Sequence, residues 1–153
     1  MVKSCTASSQ FSADWSCENA LDESTSTAWA TSGEGVGSWI EFEFNKSEYL
    51  QRMIYDNRDS VKGANKKVLL EFSDGTTQEF DLDEDETTVE LAGKQTTSVK
   101  ITVQEVYSTW NNGAKEITFE RVGKISSFFF MAPTINEKKF TYTELPQGHA
   151  LFF

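Results

Sequence analysis

Few residues in this 153-residue chain could do acid–base, nucleophilic or metal chemistry, and they are far apart. The sole histidine, His149, lies near the end, so no serine or cysteine in the body of the chain has an imidazole partner. Nucleophilic catalysis of the Ser–His or Cys–His kind needs that base. One imidazole also leaves little material for metal ligation. No glycine-rich loop suited to phosphate and no zinc spacing is present. Cys5 and Cys17 are separated by 11 residues. They either form one disulfide, worth about 2–3 kcal/mol through loop entropy, or remain two thiols; alone they cannot build a structural zinc site. The densest acidic run spans Glu79 to Glu90. Asp81, Asp83 and Asp85 fit the first three ligand positions of an EF-hand loop. Its glycine position holds Glu86 and its last glutamate position Ala92, so the pattern fails. The run reads instead as a solvated hairpin, or as a surface for a basic partner. Asn45-Lys46-Ser47 is a glycosylation sequon at an expected turn, relevant only in the secretory pathway. These features predict a protein that is not an enzyme.

Composition narrows the partners. Lys+Arg number 14 and Asp+Glu 24, a formal net charge of -10. Repulsion opposes encounter with nucleic acid, which is excluded as a general partner, and disfavours anionic membranes. No stretch approaches the roughly 18 apolar residues of a membrane span. Twelve Phe, four Trp and four Tyr supply apolar area for a core. The length suits one domain. Met1-Val2-Lys3 leads directly into a polar segment without the apolar stretch of a signal peptide. That fits either an intracellular protein or a mature segment carrying an added methionine.

The elements that must position any site are strands. Ile40, Phe42 and Phe44 alternate with Glu41 and Glu43; Val68, Leu70 and Phe72 alternate with Leu69 and Glu71. Val99, Ile101 and Val103 alternate with Lys100 and Thr102, and Ile117 and Phe119 with Thr118 and Glu120. Period two marks strands with one face in a core. Segments 49–56, 77–82 and 86–91 add weaker strands. Ser73-Asp74-Gly75-Thr76 is a hairpin connector, and Ala92-Gly93-Lys94 and Asn111-Asn112-Gly113 are loop signals. Only 16–22 suits a short helical turn, with Ser16 as N-cap. The pattern predicts an all-β sandwich or barrel of antiparallel strands. After Gly123 the composition changes: both prolines and seven aromatics lie there, with a net charge of +1 against -11 for 1–123. The division is therefore a β-sandwich over 1–122 and an aromatic-rich tail over 123–153, packed on the sandwich or on a partner.

Five pieces, in order, resemble the discoidin family, the coagulation factor five/eight type C domains of the galactose-binding-like jelly rolls. They are Ala7 to Ser12 with Glu18-Asn19-Ala20-Leu21-Asp22, Ser26-Thr27-Ala28-Trp29-Ala30-Thr31, Trp39 to Phe44, Leu70 to Gly75, and Asn112 to Ile117. The resemblance covers about residues 4–122 and implies a jelly-roll sandwich of about eight strands with ligand loops at one end. It also implies a structural calcium held by Asp22, the Ser24 carbonyl, Thr27 and Glu116, with the Ala20 or Lys115 carbonyl. The family's frequent Asp-Gly-Asp is Asp22-Glu23-Ser24 here, which replaces a glycine and removes an acid. The competing reading is that Asp22 and Thr27 only hold their own loop.

By the same resemblance, Arg58 occupies the place of a sugar-binding arginine, with Trp110, Asn111 and Asn112 on the loop before the last strand. The loop from Ser32 to Gly37, which includes Glu34, would form the opposing wall. A pyranose offers an apolar face that stacks on an indole and a hydroxyl edge that needs paired donors and acceptors. The expected function is thus lectin-like recognition of a glycan or glycoprotein at the cell surface or outside the cell. The alternative is a protein-interaction module that uses the same loops and the tail.

Overall fold

The structure, a computed structural model, describes residues 2–59 and 63–122. The expectations for the 123–153 tail and for His149 fall outside them. The described strands are β1 (Val2–Ala7), β2 (Trp29–Ala30), β3 (Trp39–Asn57), β4 (Asn65–Phe72), β5 (Thr77–Asp81), β6 (Glu86–Val106) and β7 (Gly113–Arg121). Two single-turn 3-10 helices, Ala13–Trp15 and Cys17–Ala20, lie between β1 and β2. Ser16 takes the N-cap position of the second, without a side-chain cap bond.

The lengths of β3 and β6 hold the key to the architecture. Each joins two of the strands read from the sequence. The first half of β3 pairs with β1 and with the Ser98–Thr102 stretch of β6. Its second half pairs with β7 and with the Glu86–Glu90 stretch of β6. The register shifts between Glu43 and Glu48 and again between Leu50 and Arg52. The buried positions change parity there, from Ile40, Phe42, Phe44 and Leu50 to Met53, Tyr55 and Asn57. One extra residue in a strand sends every later side chain to the other face, so the register shift keeps both halves facing the core. On β6 the corner is Ala92-Gly93, both left-handed, with φ of 51° and 75°. The expected loop at Ala92-Gly93-Lys94 is therefore a bend inside one strand, because pairing with β3 resumes on either side.

Every strand pair is antiparallel, and the two halves of β3 and β6 serve two layers. One layer runs β1–β3–β6–β4–β5 and the other β2–β7–β3–β6. This is the all-β sandwich the alternation predicts. Phe119 of β7 meets Phe42 and Phe44 of β3 edge to face, with centroids 5.4 and 5.5 Å apart. Trp29, Leu50, Met53, Leu70, Phe72 and Ile101 complete the core. Each such buried side chain contributes on the order of 1.5–3 kcal/mol.

One expected connection forms and another does not. The Ser73–Thr76 hairpin forms, with Gly75 at φ 78° and Asp74 Oδ1 accepting from the Thr76 amide at 3.1 Å. The acidic run does not form a hairpin. β5 pairs with β4 and the start of β6 pairs with β3, so Leu82 to Asp85 crosses between layers. Leu82 is buried while Asp83, Glu84 and Asp85 are exposed, so the segment is solvated as expected. β1 went unread because Val2–Ala7 has little apolar alternation. Backbone pairing with β3 and a Cys5–Cys17 disulfide to the second 3-10 helix hold it in place.

Candidate functional site

Buried amides tie together the loops at one end of the sandwich. Asn65 Nδ2 donates to Tyr55 Oη at 2.8 Å and to the Gly113 carbonyl at 3.0 Å. Asn57 exchanges bonds with the Asn65 backbone, donating at 2.6 Å and accepting at 2.9 Å. Asn112 Nδ2 lies 3.0–3.3 Å from the Ser108 carbonyl, Asn65 Oδ1 and the Ala64 carbonyl. Asn112 Oδ1 accepts from the Trp110 amide at 3.2 Å. All three asparagines are 0% exposed. A buried amide is stable only with its donors and acceptors paired, so this network fixes the loop after β3 against the loop after β6. Burial also pushes the Tyr55 hydroxyl pKa up, which keeps it a donor. Gly63, at φ 99°, passes so close that a Cβ there would lie 2.2 Å from the Trp110 carbonyl.

On this frame sits a cleft of about 370 Å³ lined by Phe11, Trp15, Ala30, Arg58, Trp110 and Asn111. Trp110 is 68% exposed and Phe11 56%, whereas Arg58 is only 8% exposed. Two large apolar rings standing in water beside a buried cation mark a contact surface rather than a core. The Arg58 guanidinium stacks over the Trp15 ring, 4.9 Å from its centroid, and Nη1 donates to the Asn111 carbonyl. Burial draws its pKa down while Asp59 opposes the shift. Asn111 is left-handed, with φ of 47°, and its Oδ1 accepts from the Gly33 amide at 2.7 Å.

The structure brings Arg58, Trp110 and Asn111 to one cleft. It does not bring Asn112 or Glu34 to that lining. The Asn112 amide is fully buried and taken up by backbone and by Asn65, so it supports the loop instead of facing a ligand. Glu34 accepts from Ser8 Oγ, and its carbonyl accepts from Thr31 Oγ1 and the Asn112 amide. Sequence reasoning missed Phe11 and Trp15 as lining residues. Both fall in the irregular segment before β2, where no periodicity assigns a face. The one available signal was two large aromatics among Ser, Asp and Ala.

The calcium candidates also converge, at a different place. Asp22 Oδ1 accepts from the Ser24 amide at 2.9 Å, and Asp22 Oδ2 lies 2.7 Å from Thr27 Oγ1. Thr27 Oγ1 is also 3.0 Å from the Ser24 carbonyl. Glu116 Oε2 is buried and, among the described residues, has no hydrogen-bond partner. Burial raises the Glu116 pKa, and Asp22 adds to the rise. Glu23 adopts φ 62°, so the loop keeps a left-handed turn although the glycine is replaced. Asp22, Thr27, the Ser24 carbonyl and Glu116 are oxygen donors of the type a hard cation takes, and the Asp22 charge acts on Glu116. Beside them, a groove of about 590 Å³ opens between β1 and β7.

With the sandwich and its rim established, comparison with known proteins places the chain. Its β-sandwich fold is shared with solved carbohydrate-binding modules. Residues 2–119 match the family described as Domain of unknown function (DUF7402), and the chain belongs to that family. No curated protein sequence matches it. Among solved structures it is similar to chitosan-binding module 2, in complex with chitotriose, of a chitosanase/glucanase from Paenibacillus sp. IK-5. That pair has 15% identity over 76% of this chain and 95% of the other, with TM-score 0.64. It is also similar to the family 32 carbohydrate-binding module of NanJ from C. perfringens in complex with galactose, at 16% identity, 76% and 91% coverage and TM-score 0.65. The CBM32-1 and CBM32-2 domains of Clostridium perfringens ZmpB, in complex with GalNAc, share 20% identity over 79% of this chain and 33% of theirs, with TM-score 0.66.

Proposed function

We propose that this chain is a non-catalytic glycan-binding module whose ligand enters the cleft of Phe11, Trp15, Arg58, Trp110 and Asn111. The observation that carries this reading is the exposed Trp110 and Phe11 flanking the buried Arg58. An indole presents an apolar face to the CH groups of a pyranose. A guanidinium has five N–H donors, and the bond to Asn111 uses one. Stacking on Trp15 holds the guanidinium flat, which lowers the ordering cost on binding. The sandwich modules of similar fold with galactose, GalNAc and chitotriose support the ligand class. A secreted or cell-surface setting agrees with the Cys5–Cys17 bond.

The proposal includes calcium at Asp22, the Ser24 carbonyl, Thr27 and Glu116. The ion would supply positive charge to carboxylates that otherwise repel, and it would hold the 22–27 loop against β7. The support is the Glu116 oxygen that has no partner among the described residues and feels the Asp22 charge.

A glycan array, followed by titration of the best ligand into wild type and Arg58→Ala, tests the module. Loss of one or two hydrogen bonds predicts binding weaker by about 1–3 kcal/mol. Absence of binding to every glycan on the array overturns the reading.

A further inference from the structure

A second cleft, of about 290 Å³, adjoins the first and is lined by Thr25, Ser26, Thr27, Asp59 and Lys115 together with Trp15 and Arg58. Arg58 and Trp15 line both clefts, so their stacked pair is the shared wall. The two sides differ in chemistry. The first offers aromatic faces. The second offers hydroxyls and a cation–anion pair, with Lys115 Nζ 3.8 Å from Asp59 Oδ1 and 3.5 Å from Asp56 Oδ1.

We infer that the second cleft is a subsite for a neighbouring sugar residue, so that the module reads a disaccharide or longer chain rather than a single terminal ring. This inference rests on the glycan-binding reading of the first cleft. A donor and an acceptor side by side match the two hydroxyls of a vicinal diol, each of which can donate and accept. The paired carboxylates offset the Lys115 charge, so the subsite suits a neutral sugar over a uronic or sulfated one. With Trp15 as its one aromatic ring among the described residues, it gives orientation and linkage preference more than stacking. A ligand that spans both clefts would place its linkage against the Arg58 guanidinium, where one side chain serves two rings.

The test is calorimetric titration of galactose, N-acetylgalactosamine, lactose, chitobiose and chitotriose into wild type, Thr25→Tyr and Asp59→Ala. Thr25 is exposed and lines the second cleft but not the first, so a tyrosine there adds bulk on the second side. The expected result is a di- or trisaccharide binding about tenfold tighter than its monosaccharide in wild type, as one or two added hydrogen bonds allow. Both variants should lose that gain, and Thr25→Tyr should keep monosaccharide affinity and melt as wild type does; Asp59→Ala, whose carboxylate acts on Arg58, is read on the ratio of oligosaccharide to monosaccharide affinity. Equal affinity for mono- and oligosaccharides overturns the subsite alone. So does a gain that survives both substitutions, or a Thr25→Tyr variant that loses monosaccharide binding as well. No binding by any of the five sugars overturns the underlying glycan reading with it.

Discussion

The Arg58–Trp110 cleft and the Asp22–Glu116 loop solve opposite electrostatic problems. Beneath the cleft, Asn57, Asn65, Asn112 and Tyr55 all have partners, and the Arg58 charge is stacked and hydrogen-bonded. Beside the loop, Glu116 Oε2 of β7 is buried and, among the described residues, has no hydrogen-bond partner, while the Asp22 charge acts on it. A satisfied frame is preorganised, so a neutral ligand meets a rigid rim at little reorganisation cost. An unsatisfied carboxylate is a standing penalty that a proton or a cation removes. The lesson is that the two regions should respond to different agents: the cleft to sugars, the loop to pH and divalent ions.

Four measurements sharpen or break that contrast. The largest effect is expected for Asn112→Ala, which strips partners from several buried groups. Stability should fall by about 4 kcal/mol in denaturant unfolding, with sugar binding lost as the loops part. If the protein keeps its stability, the amide network is not the frame of the cleft. Next is removal of the disulfide by the double change Cys5→Ala and Cys17→Ala. A loss of about 3 kcal/mol follows from freeing a loop of this length. Sugar binding at temperatures well below the melt should be unchanged, because neither cysteine lines the cleft.

Trp110→Ala should weaken sugar binding by about 2 kcal/mol and leave the melting temperature within about a degree, since the ring is exposed. A large loss of stability would instead make Trp110 part of the frame. The smallest effects concern Glu116. Its pKa is raised in the folded state above the ordinary 4.5. Folded protein therefore holds the proton more tightly than unfolded protein. The Glu116 contribution to stability is intact below about pH 4.5 and declines as pH rises through the raised value. Glu116→Gln should flatten that decline and raise the melting temperature by a degree or two in chelator. Calcium at tenfold its Kd should stabilise wild type by about 1.4 kcal/mol, because it binds only the folded form, and should stabilise Glu116→Gln much less. A wild-type melt that ignores both calcium and chelator would reduce the loop to the local bonds of Asp22 and Thr27.

How much was legible follows from particular residues. Alternation at 40–44, 68–72, 99–103 and 117–119 located core strands because burial on one face selects apolar side chains every second position. It could not show that 39–57 is one bent strand, since the register shift near Leu50 exchanges two phases of the same pattern. Arg58, Trp110 and Asn111 were found through a resemblance of spaced pieces, while Phe11 and Trp15 carried no periodic signal. Asn112 looked like a ligand because amides serve ligands and loops alike. Its 0% exposure decided between them.

The amino-acid order alone determined the class of fold, the excess of negative charge and the shortage of catalytic groups, because these depend on local spacing and composition. Only the tertiary structure decided which polar side chains line the cleft and which face the interior. It brought Phe11, Trp15, Arg58 and Trp110 to one rim, and Glu116 of β7 beside the Asp22 loop, from positions far apart in the chain. Burial and partner choice are properties of that arrangement, since the same asparagine or glutamate behaves differently in water and among backbone carbonyls.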